Sequence, residues 1–93
     1  MNYIKELAGE IHGQIPAEVL PEAENLDELM LMYAVLALAK HTQVTNEDVH
    51  NVWAAWMSFN DPEHRSIKPY DELEPDVQEQ DTPFTEAIRR AVQ

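Results

Sequence analysis

Asn25-Leu26-Asp27-Glu28-Leu29-Met30-Leu31-Met32-Tyr33-Ala34-Val35-Leu36-Ala37-Leu38-Ala39-Lys40-His41 decides the fold. Asn25 has an acid three residues later, the spacing of a capping box, so a helix is expected to start at Leu26. Lys40 and His41 close it, where the helix macrodipole favours positive charge. Between these ends nearly every position is apolar, so no single face can be solvated and the helix belongs at the centre of the domain. The run from Leu29 to Ala39 is shorter than the ~20 apolar residues needed to span a bilayer. A helix over residues 26–41 is therefore expected, and it should be the most buried of the chain.

Helical patterns flank it on both sides. Tyr3, Ile4, Leu7 and Ile11 recur at helical spacing, which predicts a helix over 2–12 with Gly13 as its stop. Pro16 could open one turn over 17–20. Thr45, followed by Glu47 and Asp48, predicts an N-terminus, and Val49, Val52, Trp53 and Trp56 make one stripe of a helix over 46–58. Pro75 suits the first turn of a short helix over 75–80. Asp81 or Thr82 caps a last helix over 83–92, with Phe84, Ala87, Ile88 and Ala91 or Val92 inward and Arg89 and Arg90 at its end. No strand-period run stands out. The reading is a single all-α domain over 1–93 with an irregular proline-containing segment.

That segment is His64-Arg65-Ser66-Ile67-Lys68-Pro69-Tyr70-Asp71-Glu72-Leu73. It reads as a rigid extended lead-in to a helix. Pro69 restricts Lys68, Ile67, Tyr70 and Leu73 are its apolar anchors, and Asp71 and Glu72 suit a helix start. Tyr70 is expected to be a buried latch on the Trp53 helix.

Composition narrows the function classes. The 93 residues carry 18 acids against 6 basic residues, a formal charge of −12. Such a chain repels nucleic acid and anionic membranes, so neither is an expected partner. Solubility is the plainer account of the acidity. With no cysteine there is no disulfide or thiolate chemistry, and with no targeting pattern the expected location is the cytoplasm. The four His lack zinc spacing, and the acids lack the glycine and alternation of a calcium loop. No phosphate-binding glycine loop, nucleophile motif or distinguished carboxylate pair is present, so neither catalytic residue, metal nor cofactor is expected, and the protein should not be an enzyme.

Asp48-Val49-His50-Asn51-Val52-Trp53, then His64, Ile67, Pro69-Tyr70-Asp71-Glu72-Leu73 and Asp81, resembles the ryanodine receptor (RyR) repeat domain. The likeness covers 45–93, leaving 1–44 as N-terminal helices without a counterpart. Residues 57–63 stand where that family has a Gly-Trp-x-Tyr-Gly segment, and Asp81-Thr82 where it has Asp-Arg. The chain looks like small acidic RyR-domain proteins of actinobacterial bacteriophages. The resemblance implies a compact, non-catalytic helical module, with nucleotide ligands beside its aromatic residues, in the host cytoplasm if phage-encoded.

Two functions follow as expectations. The first is an interaction module that contacts a protein partner, in a host or a second copy, through the stripe of Trp53, Trp56 and Phe59; a homodimer would bury that stripe. The alternative is a nucleotide sensor or sponge whose site is His50, Trp53, His64, Arg65 and Tyr70. Its aromatics would stack the base, and Arg65 or Lys68 would meet the phosphate. Plainer readings stand beside both. Paired tryptophans are usually core, each His ties down a turn, and Arg65 and Lys68 pair with nearby acids.

Overall fold

The computed structural model describes residues 2–93. They form an all-α domain of four long helices and one short one: α1 (Tyr3–Gln14), α2 (Leu26–Lys40), α3 (Asn46–Asn60), α4 (Pro75–Glu79) and α5 (Thr82–Val92). Single 3₁₀ turns lie at Ala17–Val19, His41–Gln43 and Tyr70–Glu72. No strand occurs among the described residues.

The apolar α2 packs against α1, α3 and α5, as its composition requires. Leu29, Met30, Tyr33, Ala34 and Ala37 are buried on it, more than on any other helix. Around them lie Ala8 and Ile11 of α1, Val49 and Trp56 of α3, and Ala87 and Ile88 of α5. Deleting such a side chain to alanine removes about 2–5 kcal/mol from a domain of this size. Tyr3 leaves the stripe expected of α1 and is 69% exposed.

The helix starts and stops show where local signals held. At α3, Thr45 Oγ1 accepts the Asp48 N–H at 3.2 Å and Asp48 Oδ2 accepts the Thr45 N–H at 3.0 Å. Lys40 Nζ closes on the same carboxylate at 3.0 and 3.1 Å, which ties the end of α2 to the start of α3. Burial pushes the Asp48 carboxyl up, but the bonds to Thr45 and Lys40 outweigh it and leave its pKa lowered.

Other expected ends moved. The helix α1 runs through Gly13 to Gln14 because Pro16 holds Ile15 extended, and the stop belongs to the proline. Asn25 makes no side-chain cap. Its backbone carbonyl instead accepts the indole N–H of Trp56 at 3.0 Å, a tertiary bond that fixes the approach to α2. At the other end of α2, His41 takes φ 51, ψ −128, the one positive φ of a non-glycine residue among those described. Helix α3 continues through Phe59 and Asn60, two residues past its expected end at 58.

The segment 61–73 is not an extended rod. The bonds His64 N–H to Asp61 O (3.0 Å), Ile67 N–H to His64 O (3.1 Å) and Lys68 N–H to Ser66 O (3.0 Å) fold it into consecutive turns. Asp71 and Glu72 sit in a 3₁₀ turn ahead of α4. Leu73 is its buried anchor, 6% exposed, whereas Ile67 and Tyr70 are half-buried. Tyr70 is thus not the buried latch expected of it.

Candidate functional site

Residues three apart on a helix share a face, so His50 and Trp53 project together from α3. Their rings stack with centroids 5.8 Å apart and planes at 26°. His64, brought back by the turns after α3, meets the Trp53 indole edge-on at 5.1 Å and 85°. These rings form one wall of a cavity of about 460 Å³. Tyr33 of α2 and Phe84 of α5, with ring centroids 6.0 Å apart, also line it. Val19 and Pro21, from the link between α1 and α2, form one lip. The volume suits a small organic molecule.

Hydrogen bonds hold the first wall. His50 is buried, and its Nε2 lies 2.7 Å from the Lys68 carbonyl. A carbonyl only accepts, so Nε2 carries the proton. The Ser66 N–H donates to His64 Nδ1 at 3.1 Å, which leaves Nε2 as the protonated nitrogen of a neutral His64 ring.

Asp81 lines the same cavity. It stands at the N-cap of α5, three residues before Phe84, yet its side chain makes no capping bond. Burial pushes its carboxyl up to about 6, against the opposing pull of His50. Burial, and secondarily the Asp81 charge, raise the Tyr33 hydroxyl far above its ordinary value, so it stays neutral. These mutual effects put Asp81 within electrostatic reach of α2 and α3 together. A polar cluster holds it there. Thr85 Oγ1 donates to Asn46 Oδ1 at 2.5 Å and lies 3.1 Å from the Asp81 carbonyl, while Asn46 Nδ2 donates to Thr82 Oγ1 at 3.1 Å.

The expected site residues divide. His50, Trp53 and His64 converge on the cavity. Tyr70 touches the back of His50, with ring centroids 6.1 Å apart, and lines a separate shallow depression beside Arg89. Arg65 is exposed and does not line the cavity. Of the expected interface stripe, Trp56 is 2% exposed and belongs to the core, Trp53 faces the cavity, and Phe59 alone is open at 82%. Tyr33, Asp81 and Phe84 were not expected as site residues. Only the shared helical face of Asp81 and Phe84 hinted at the pair. Among the described residues no group of three or more His, Cys, Asp or Glu could hold a metal ion, and no helix is long and apolar enough to cross a membrane.

Comparison with known families decides the relationship. A family model described as a domain of unknown function (DUF7701) matches residues 2–93. The chain belongs to the DUF7701 family. This match corrects the resemblance to the ryanodine receptor repeat, which had no counterpart for 1–44, whereas the DUF7701 model takes in both halves. The His and Trp positions that suggested the repeat form a packed aromatic wall, in which helical spacing pairs His50 with Trp53 and the turns after α3 return His64 to them. The phage attribution rested on the same resemblance and goes with it. No curated protein and no solved structure matches this DUF7701 chain.

Proposed function

We propose that this domain is a non-catalytic binding module whose cavity takes a small, partly aromatic ligand. The observation that carries this reading is the convergence of Trp53, Tyr33 and Phe84, from three different helices, on one open cavity that also holds a carboxylate. A mostly apolar hollow with a few polar groups is the usual form of a small-molecule site. The two histidines spend ring nitrogens on fixing the wall, which suits a positioning role better than proton transfer. A nucleotide, the ligand expected from the sequence, fits poorly. Its phosphate would meet Asp81, while Arg65 and Lys68 are exposed and do not line the cavity.

The test is a screen of small neutral, cationic and anionic aromatic fragments by ligand-observed NMR, run on the wild type and on Val77→Phe. Val77 of α4 is a half-buried lining residue, and a ring there occupies the hollow. Fragments that bind the wild type and not the folded variant support the reading. A screen without hits, or hits untouched by Val77→Phe, contradicts it.

A second reading is favoured by a different surface. Val35 and Leu38 are 55% and 40% exposed on the outer side of α2, and Phe59 is open at the end of α3. A protein partner, or a second copy of the chain, would cover such residues. Concentration-dependent light scattering, repeated on Val35→Lys, tests self-association. A monomer at every concentration removes it.

A further inference from the structure

We propose that the cavity selects an organic cation: a small ligand with a quaternary or protonated nitrogen on or beside a planar group, its charge against the Asp81 carboxylate and its body against the aromatic lining. This rests on the small-ligand reading above and names the class of ligand.

Charge complementarity is the first ground. Asp81 lines the cavity, and no Lys or Arg does so. Its carboxylate makes no capping bond, and the influences on its ionisation are burial and the charge of His50, with no hydrogen bond among them. No buried side-chain oxygen or nitrogen among the described residues lacks a partner, so the Asp81 oxygens are reached from the cavity rather than sealed within the protein. An acceptor of this kind, half-withdrawn from water, calls for a donor or a positive charge from outside the chain.

The walls supply the second ground. Trp53 and Phe84 line the cavity half-buried, with the more deeply buried Tyr33 beside them, and the negative quadrupole of an aromatic face favours a cation over an anion. Third, the net charge of −12 raises the local concentration of any small cation.

Affinity should also follow pH. The cation needs the ionised carboxylate, so binding strengthens as pH rises through about 6. The titratable groups facing Asp81 are Tyr33 from α2, His50 from α3 and His64 from the turns after α3. Tyr33 stays neutral throughout.

The test uses three probes of similar size: benzyltrimethylammonium, benzyl alcohol and benzoate. Each is titrated by calorimetry into the full chain at pH 7.5 and pH 5, and into Asp81→Asn and Asp81→Ser. The Asp81 side chain makes no capping bond, so α5 keeps its start in both variants. The expected result is that benzyltrimethylammonium binds roughly tenfold or more tightly than benzyl alcohol at pH 7.5. That preference should shrink at pH 5 and disappear in both variants, which retain benzyl alcohol binding. Equal binding of cation and alcohol, or preference for benzoate, overturns the cation assignment and leaves the ligand cavity standing. Failure of all three to bind, together with an empty fragment screen, overturns both.

Discussion

His50 Nε2 donates to the Lys68 carbonyl at 2.7 Å, and the same ring stacks on Trp53. One buried side chain therefore builds the cavity wall and pins the turns that bring His64 against it. His50→Phe keeps a ring on Trp53 but leaves the Lys68 carbonyl without its donor. Lys68 is exposed, so the loss of this one hydrogen bond costs about 0.5–1.5 kcal/mol. Urea unfolding should show that loss, and limited proteolysis should cut 61–69 faster than in the wild type. An unchanged midpoint would mean that water replaces the bond without penalty.

Asp81 weakens the fold at neutral pH. Its carboxyl is raised to about 6 by burial, above the ~3.9 of an unfolded chain. The native state thus holds that proton more tightly. The contribution to stability is full below pH ~4 and is lost as pH rises through about 6. Asn resembles the protonated acid, so Asp81→Asn should melt higher than the wild type at pH 7.5. The gap should close below pH ~4, where both are neutral. A lower melting temperature for the variant at pH 7.5 would contradict this. A stabilising change that also weakens cation binding is the trade expected at a site kept for function.

Leu73, rather than Tyr70, anchors the proline-containing segment. Leu73 is 6% exposed and Tyr70 only half-buried. Leu73→Ala should cost about 2–5 kcal/mol. Tyr70→Ala should cost less, and Pro69→Ala less again, since it acts mainly on the unfolded chain. Thermal melts rank the three. A larger loss for Tyr70→Ala than for Leu73→Ala reverses the assignment.

His41 carries backbone strain. Its φ of 51 and ψ of −128 suit glycine far better than a residue with a Cβ. Relief of such strain is worth about 1–3 kcal/mol, partly offset by the freedom glycine adds to the unfolded chain. The urea midpoint of His41→Gly should rise with an unchanged slope. A fall would show that the imidazole holds the turn.

Periodicity carried most of the fold. Leu26–Lys40 is apolar on all sides and had to be central, and the Thr45 cap with Asp48 formed where its spacing said. Local signals failed where a tertiary contact or a neighbouring proline was stronger. Asn25 had the capping-box spacing, yet its backbone serves Trp56. Gly13 looked like a stop, yet Pro16 sets the end of α1. Half of the cavity was legible, because His50 and Trp53 share a helical face. The other half was not. Tyr33 is hidden in an apolar run, and Asp81 gains its environment only where α2, α3 and α5 meet.

The two tryptophans provide the most direct measurement. Trp53 lines the cavity, while Trp56 is buried with its indole N–H bonded to Asn25. In a ¹⁵N-labelled sample the two indole N–H signals are separate reporters within one molecule. Titration with benzyltrimethylammonium at pH 7.5 should shift the Trp53 signal progressively and to saturation and leave the Trp56 signal in place, and in Asp81→Asn the same Trp53 shift should need roughly tenfold more ligand. Equal movement of both signals, or of neither, would contradict a ligand site in this cavity.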